Sequence, residues 1–399
     1  MALRSTAHAA PLALAGTPLG GFDFQPMTRV VFGAGTLAQL GESVRELGGT
    51  RVLLVTDPGL EAAGHPQNAL SSLKDAGLPA WIFDGVEENP SSRHIENGLE
   101  LARRHKIDFL VAVGGGSSMD CAKGINFLLT NGGTMTDYMG FGKAKKPMLP
   151  SIAVPTTAGT GSEAQSYALI ADERTHMKMA CGDRKAAFRV AILDPVVTVS
   201  QPVKVTAITG IDALSHAVES YVTSKRNPLA QMFARTAWQL LEGQLPKVLR
   251  QPTNLDARGA MQLGAHLAGM AIENSMLGAC HACANPLTAH YGITHGVAIG
   301  ILMPHVIRFN APAVGALYGD LAHEAGMVNG DTGVAAESVA RRFSDFMQSA
   351  GLPTRLCDCG VNHGILHVLA EEADQQWTAR FNPRPVNEID LLGLFEAAF

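Results

Sequence analysis

The sequence predicts two domains: an N-terminal α/β domain with a mostly parallel, Rossmann-like sheet, and an all-α C-terminal domain. The chain has 399 residues, and one hydrophobic core seldom supports more than about 250–300 residues. Up to about residue 200, short β-branched runs alternate with helical patterns, which is typical of parallel strands joined by crossover helices. Beyond Pro202 the strand patterns stop, and long segments rich in Ala, Leu and Met follow.

Seven strands are predicted in the N-terminal domain, which spans residues 23–200. In chain order they are Arg29–Phe32, Arg51–Thr56, Ala80–Phe83, Asp108–Val113, Ser151–Val154, Tyr167–Ile170 and Arg189–Leu193. Runs such as Val52–Val55 are apolar without alternation, as expected for strands that are covered on both faces. The helices predicted between the strands are Glu42–Leu47, Ala69–Ala76, Ile95–Arg104 and Ser118–Leu129.

The C-terminal domain spans residues 201–399 and is predicted to be helical throughout. Its clearest helical periodicity falls in Ala207–Thr223, Pro228–Leu249 and Ala257–Leu277. The boundary is placed within Pro195–Lys204, where the strand pattern ends between prolines. Residues 1–22 carry one charged side chain, and prolines interrupt their apolar run. We therefore predict a flexible arm there rather than a targeting peptide.

The composition excludes several classes of partner. Lys and Arg total 31 against 36 Asp and Glu, which gives a net charge of −5, and no basic cluster interrupts this balance. Nucleic acid and membrane surfaces are therefore not expected as partners. No uncharged stretch reaches the ~18–20 apolar residues that a spanning helix needs. Six scattered cysteines are too few for a disulfide framework, so we expect a reducing, cytoplasmic location.

A glycine-rich turn follows the predicted strand Asp108–Val113. Glycines between a strand and a helix let the backbone approach a pyrophosphate, whose charge is stabilised by free N–H groups and the helix dipole. A second polar turn, Pro155–Glu163, follows the next strand and is able to face the same ligand. The alternative is a turn that needs glycine for its conformation alone. The cofactor-binding candidates in the two turns are Gly114, Gly115, Gly116, Ser117, Asp120, Thr156, Thr157 and Thr160.

A competing dinucleotide pattern lies earlier, at Gly33–Ala38. It fits the loose fingerprint of glycines at a strand end, and Asp57 lies 22 residues after Gly35, close to the expected spacing for an acidic residue. The spacing does not decide between the two turns. Asp57 ends a predicted strand, where its carboxylate can accept from ribose hydroxyls and repel a 2′-phosphate, which favours NAD over NADP. The alternative role for Asp57 is a helix N-cap before Pro58.

Candidate metal ligands lie in the second half. Asp212 and His216 are four residues apart in a helical stretch and share one helix face. His281 and His295 follow, and one carboxylate with three imidazoles suits Fe²⁺ or Zn²⁺. The alternative is that Asp212 and His216 only stabilise their helix, since the chain has 14 histidines. The nearby cysteines are expected to be buried thiols, because no second pair has zinc-site spacing.

Assembled in order, these residues resemble the iron-containing (group III) alcohol dehydrogenases of the dehydroquinate synthase-like superfamily. The resemblance runs from Phe24 to the C-terminus. The segments that carry it are Val31–Gly33, Asn89–Pro90, Gly114–Ser117 with Asp120 and Lys123, Pro155–Thr160, Gly210–Glu219, His281 with His295, Pro304–His305 and Asn382–Arg384.

The resemblance implies an enzyme that interconverts an alcohol and its aldehyde or ketone by hydride transfer with NAD(H). It implies Fe²⁺, with Zn²⁺ possible, on Asp212, His216, His281 and His295, in a cleft between the domains. It assigns the pyrophosphate to Gly114–Ser117, the adenosine ribose to Asp57, and the nicotinamide half to the region of Thr156, Thr157 and Lys178. A homodimer and a small-molecule substrate are the family expectation.

The same resemblance places Ile272, Asn285 and Thr378 near the substrate. Many family members carry a second histidine, credited with proton relay, where this chain has Asn285. Two alternatives stay open. One is another superfamily enzyme, such as a glycerol dehydrogenase, maleylacetate reductase or hydroxyacid–oxoacid transhydrogenase. The other is a catalytically weakened NAD-binding protein, which Asn285 favours and the four intact metal ligands oppose.

Overall fold

The structure is a computed structural model that describes residues 21–174, 178–327 and 332–399. Nearly all of the predicted arm, residues 1–22, lies outside the described residues. The strands are β1 (Arg29–Phe32), β2 (Val52–Val55), β3 (Ala80–Phe83), β4 (Phe109–Gly114), β5 (Gly140–Phe141), β6 (Ser151–Pro155), β7 (Tyr167–Ala171), β8 (Lys178–Gly182) and β9 (Val190–Leu193). The helices among them are α1 (Leu40–Glu46), α2 (His65–Asp75), α3 (Ser92–Arg104) and α4 (Gly116–Asn131).

A parallel sheet organises the first half of the chain. Its strand order is β1-β9-β6-β4-β2-β3, and every pairing is parallel. Strands β2, β4 and β6 are wholly buried, which explains their apolar sequences without alternation. Strands β4 and β6 are neighbours, with Gly114 opposite Pro155, so the two polar turns that follow them lie side by side. The predicted α/β fold class is confirmed.

One predicted strand belongs to a different sheet. The sequence places Tyr167–Ile170 among the parallel crossover strands, but as β7 it pairs antiparallel with β8 in a small sheet of order β5-β8-β7. Strands β5 and β8 are not predicted at all. The sequence signal is weak because β7 alternates between buried and half-buried residues, and β8 begins with lysine and ends with glycine. Half-exposed strands of this kind lack the continuous apolar run of the main sheet.

The second half is helical, as predicted. Its helices are α5 (Val203–Val222), α6 (Pro228–Arg250), α7 (Leu255–Glu273), α8 (Ala279–Tyr291), α9 (His295–Glu324), α10 (Thr332–Ser349), α11 (Leu366–Asp374) and α12 (Glu388–Ala398). They enclose one apolar core, in which Trp238 donates from Nε1 to the Leu321 carbonyl at 2.8 Å. The predicted domain boundary at Pro195–Lys204 stays a prediction.

Among the described residues, α9 is the one helix long and apolar enough to cross a membrane by length and composition. It contains Arg308, so the prediction that no uncharged stretch could span a membrane is unchanged. The qualifying stretch of α9 is 67% buried inside the fold, as in the core helix of a globular protein. The helix also contains Pro304 and Pro312, and its backbone leaves helical geometry at Val314.

The two halves meet where the turn after β6 packs on α7. Gln262 Nε2 donates to the Pro155 carbonyl at 2.8 Å, which joins α7 to the sheet edge. Gly161 adopts φ +61 and lies against Gly269, where an added Cβ would lie 2.5 Å from the Gly161 carbonyl oxygen. This backbone contact leaves no room for a side chain and holds the second turn close to α7.

We expect Gly269→Ala to lower the free energy of unfolding by about 1–2 kcal/mol, because the added methyl overpacks this contact. Chemical denaturation measures the change. Gly243→Ala is the matched control: Gly243 lies in helix α6, and a Cβ there meets nothing within 4 Å. That control should stabilise the protein by about 0.5–1 kcal/mol through helix propensity. Equal effects of the two substitutions would contradict the tight contact.

Candidate active site

The glycine-rich turn joins β4 to α4 at the carboxyl edge of the parallel sheet. Gly114 has φ +158, and a Cβ there would lie 2.3 Å from the Ser118 hydroxyl oxygen. A Cβ on Gly116 would lie 2.7 Å from the methyl carbon of Thr160 in the second turn. Both positions therefore require glycine. Within the described residues no side chain caps α4, so its first N–H groups remain available to an anion.

Both polar turns open into one cavity of about 1260 Å³. Seven of the predicted cofactor residues line it: Gly115, Gly116, Ser117, Asp120, Thr157, Thr160 and Lys178. Gly114 and Thr156 lie directly behind this wall, where the Thr156 N–H donates to the Gly114 carbonyl at 3.0 Å. The structure therefore brings the predicted pyrophosphate turn and the predicted nicotinamide residues to a single space.

Asp57 lies beside the glycine turn, at the end of the neighbouring strand β2. The Ser118 hydroxyl donates to Asp57 Oδ2 at 3.4 Å, and a Cβ added at Gly114 would lie 3.3 Å from the same oxygen. Burial raises the pKa of Asp57, while the hydrogen bond from Ser118 lowers it. Asp57 is not among the described residues that line the cavity, but its carboxylate adjoins the turn that does.

In the competing glycine turn, residues 33–38, the central N–H groups are already bonded within the protein and are not available to a ligand. The N–H groups of Gly35 and Leu37 donate to the two carboxylate oxygens of Asp194, at 2.9 and 3.0 Å. Gly35 adopts φ +82, which explains the need for glycine there. We therefore read residues 33–38 as a structural turn.

Asp120 connects the glycine turn to the rest of the site. Its carboxylate accepts from the Ser162 hydroxyl at 2.6 Å and from the Leu169 N–H at 3.2 Å. Buried Lys123, one helical turn away, donates to the Ser162 carbonyl at 2.8 Å and to the Tyr167 carbonyl at 2.7 Å. This polar cluster fixes the second turn and strand β7 against α4. The sequence analysis does not predict that Lys123 holds the second turn. Its spacing of three from Asp120 in a helix indicates that the two side chains are neighbours.

Lys178 begins β8 and reaches into the cavity. Its Nζ donates to Asn89 Oδ1 at 3.3 Å, which holds the ammonium group on the cavity wall. Burial lowers the pKa of Lys178, whereas the carboxylates of Asp120 and Asp212 raise it. The lysine therefore lies between the cofactor turns and the predicted metal ligands.

Three of the four predicted metal ligands, Asp212, His216 and His281, have ligand atoms within 4.8 Å of one another, and His295 lies beside Asp212. Asp212 and His216 come from the middle of α5, His281 from the first turn of α8, and His295 from the first residue of α9. Asp212 Oδ1 lies 3.5, 3.7 and 3.8 Å from the Nε2 atoms of these histidines, in that order. A tetrahedral ion with bonds of about 2.0–2.2 Å would separate its ligand atoms by about 3.3–3.6 Å.

The donor set fits a divalent transition metal. Asp212 Oδ1 and His281 Nε2 are buried and have no hydrogen-bond partner among the described residues, which is the state expected of ligand atoms. Burial lowers the pKa of His295 to about 3, and the other histidines and Lys178 add to this, so His295 is a neutral donor. Burial would raise the pKa of Asp212, but the surrounding histidines hold it far below its usual range.

Glu219 is a functional candidate that the sequence places in a family motif without indicating its role. Its Oε2 pairs with His281 Nδ1 at 2.6 Å, and its Oε1 accepts from the Cys280 N–H at 2.9 Å. Although burial lowers the pKa of His281, Asp212 and Glu219 raise it to about 9. The signal was present in the sequence, because Asp212, His216 and Glu219 share one face of α5 by their spacing of four and three.

The three substrate-pocket candidates have different positions. Ile272 lines the cavity, as predicted. Asn285 donates to Gln376 Oε1 at 3.0 Å, and Thr378 is buried; neither is among the described residues that line the cavity. The residue that lines it instead is Trp377, whose ring stacks on that of Tyr167 with centroids 5.6 Å apart. The assignment of Asn285 and Thr378 to the substrate pocket therefore stays a prediction.

Comparison with known proteins gives one family over the whole chain. Residues 27–195 match the model "Iron-containing alcohol dehydrogenase", and residues 206–399 match "Fe-containing alcohol dehydrogenase family, C-terminal". The 1,3-propanediol dehydrogenase of Klebsiella pneumoniae is 37% identical over 95% of this chain and 99% of its own length. The NAD-dependent methanol dehydrogenase of Bacillus methanolicus is 34% identical over 92% of this chain and 97% of its own.

A solved structure gives the same result. The crystal structure of a 1,3-propanediol oxidoreductase superposes with a TM-score of 0.92 at 36% sequence identity, and the match covers 95% of this chain and all of the other. Sequence similarity of this extent, with the same arrangement of sheet and helices, identifies the family. The chain belongs to the iron-containing alcohol dehydrogenase family, a family of alcohol dehydrogenase-type oxidoreductases.

Proposed function

We propose that this protein is a metal-dependent NAD(H) oxidoreductase that interconverts an alcohol and its aldehyde or ketone. The observation that carries the proposal is a single cavity that has the glycine turn on one wall and the Asp212–His216–His281 cluster on another. Hydride transfer needs the cofactor and the polarised substrate oxygen in one enclosed space. The NAD-dependent relative supports the choice of cofactor.

The metal site requires neutral, oriented imidazoles. When bound, Fe²⁺ or Zn²⁺ would supply Lewis-acid polarisation of the substrate oxygen, while NAD(H) would supply or accept the hydride. Asp212 provides the single negative charge, and His216, His281 and His295 provide three imidazole nitrogens. Glu219 accepts the Nδ1 proton of His281, so that Nε2 faces Asp212 as the donor atom. Fe²⁺ is the ion proposed from the family, and Zn²⁺ suits the same ligands.

The chain's other residues position the reactants. The N–H groups at the start of α4 would bind the pyrophosphate, and Asp57 would accept from the adenosine ribose. Ile272 and Trp377 place apolar surface on the cavity wall and exclude water from the reacting atoms. Lys178 places a cation between the cofactor turns and the metal ligands, where it can orient polar groups of either reactant.

Proton release differs from the route credited to many family members. Asn285 carries an amide that does not titrate, and that amide is bound to Gln376. Position 285 therefore offers no titratable proton in this chain. We assign the proton's path to water in the cavity, beside the Thr157 hydroxyl and the Lys178 ammonium group, which both line it. A homodimer in the cytoplasm remains part of the proposal.

The proposed function predicts metal-dependent turnover. We expect NADH consumption with a panel of small aldehydes, and NAD reduction with the matching primary alcohols, after loading with Fe²⁺ or Zn²⁺. His281→Ala should lose both the bound metal and turnover by more than a hundredfold, because one of the ligands that hold and activate the ion is gone. Elemental analysis and the absorbance of NADH measure the two effects.

The matched control for this substitution lies on the same helix. His290→Ala removes an exposed imidazole that binds Glu372 at 2.9 Å, and it should keep metal and activity. A His281→Ala protein that retains one metal ion per chain would contradict the ligand assignment. Binding of NAD without turnover of any alcohol or aldehyde would instead favour the catalytically weakened NAD-binding protein.

A second prediction concerns Glu219. Glu219→Gln should weaken metal affinity by about 10–100-fold, because a neutral amide orients His281 less strongly and raises its basicity less. Competition with a chelator measures the affinity, and circular dichroism checks that the helices are retained. Glu372→Gln is the control. It makes the same change from carboxylate to amide, but at the exposed pair of Glu372 with His290. Unchanged affinity in Glu219→Gln would show that His281 is held in place by packing alone.

The third prediction concerns cofactor choice. Wild type should prefer NAD(H), and Asp57→Gly should increase the relative kcat/KM with NADP(H) by about tenfold or more, because removing the carboxylate relieves its repulsion of a 2′-phosphate. The ratio of kcat/KM for the two cofactors measures this. Asp84→Gly, at a position that follows strand β3, is the control. A wild-type preference for NADPH would show that Asp57 does not bind the ribose.

A further inference from the structure

Residues 21–28 precede the first strand and contribute five residues to the lining of the cavity. They have no regular secondary structure and lead into β1. Phe22, Asp23, Gln25 and Met27 line the same cavity as the metal ligands. We call residues 21–28 the N-terminal strap. The side chains of the strap therefore form part of the cavity wall, in addition to connecting to the first strand.

The N-terminal strap is held from both halves of the chain. Asp23 pairs with Arg184 at 3.5 Å, and the Thr28 hydroxyl donates to the Phe188 carbonyl at 2.8 Å, which fixes the strap to the α/β half. The Phe24 ring packs on Phe233 of α6, with centroids 5.9 Å apart. A segment with contacts on both sides of the cavity mouth has a defined position from which it can contact a substrate.

The cavity wall near the N-terminal strap presents mainly apolar side chains. Three charged side chains of the cavity lining, besides Asp23, are engaged within the protein. Arg184 pairs with Asp23, and Glu273 accepts from both the Ser166 N–H and the Ser166 hydroxyl. Lys225 places its Nζ 5.0 Å from the centre of the Phe381 ring. The apolar side chains that remain on this part of the wall are Phe22, Met27, Ile272, Met276, Leu277 and Trp377.

We propose that the N-terminal strap forms a distal subsite for the hydrocarbon tail of an extended, uncharged primary alcohol or its aldehyde. This inference rests on the proposed function and deepens it, because it names the substrate class of the same site. The oxygen end of the substrate lies at the metal ligands, and the tail extends towards Phe22 and Met27. Each methylene that leaves water for this wall adds binding free energy in proportion to the apolar area buried.

The test compares two alcohols in wild type and in strap variants. The ratio of kcat/KM for 1-hexanol to that for ethanol should fall about tenfold in Met27→Ala, because only the longer chain reaches the strap. Phe22→Ala should lower the same ratio, and its exposed position makes it a safe second variant for folding. Met232→Ala is the matched control. Met232 is an exposed methionine of α6 outside the cavity, so the ratio should not change.

A readout without turnover separates this inference from the proposed function. Intrinsic tryptophan fluorescence should report 1-hexanol binding, since Trp377 lines the cavity, and both strap variants should bind it more weakly than wild type. If wild type shows no turnover but both strap variants bind 1-hexanol more weakly than wild type, the proposed reaction is wrong and the proposed subsite stands.

Three results would overturn the subsite itself. The first is a hexanol-to-ethanol ratio that is the same in wild type and in both strap variants. The second is a ratio that rises, because the strap would then exclude long chains. The third is a wild-type preference for 6-hydroxyhexanoate over 1-hexanol, because the site would then hold an anionic tail.

Discussion

The buried carboxylate of Asp212 is the constraint on which the helical half depends. A charge in the protein interior is costly unless cations or hydrogen bonds compensate it, and Asp212 Oδ1 has no hydrogen-bond partner among the described residues. Three helices bring imidazoles to within 3.8 Å of this oxygen. Helix α9 begins at His295, so its first side chain lies beside this carboxylate. Glu219, one turn beyond His216, extends the arrangement by fixing both Cys280 and His281.

In the N-terminal half of the chain, the parallel sheet determines where the site residues lie. Neighbouring parallel strands end at the same edge, so the turns after β4 and β6 meet without any direct sequence link. The buried pair of Asp120 and Lys123 then ties the second turn and β7 to α4. Because β7 carries Tyr167 into contact with Trp377, the same cluster also sets one wall of the substrate space.

The cavity exists because the two halves approach closely at a few points and stay apart elsewhere. Gly161 and Gly269 allow backbone contact, and the hydrogen bond from Gln262 to Pro155 holds α7 at the sheet edge. The N-terminal strap closes the opposite side through its contacts with Arg184 and Phe233. The two polar turns, the Asp212–His216–His281 cluster and the strap thus line one cavity.

Local patterns in the sequence determined the secondary structure of the main sheet and of the helices, because periodicity and glycine conformation depend on near neighbours. The spacing in α5 predicted two candidate metal ligands on one helix face, and the family resemblance added His281 and His295 to the predicted set. Tertiary structure alone decided the antiparallel sheet, the hydrogen bond from Asn285 to Gln376, and the pairing of Glu219 with His281. Asn285 and Gln376 are 91 residues apart in the sequence, and Glu219 and His281 are 62 apart, so no local pattern predicts either contact. Long-range packing selects which side chains meet, and this is why Trp377 lies in the cavity lining and stacks on Tyr167.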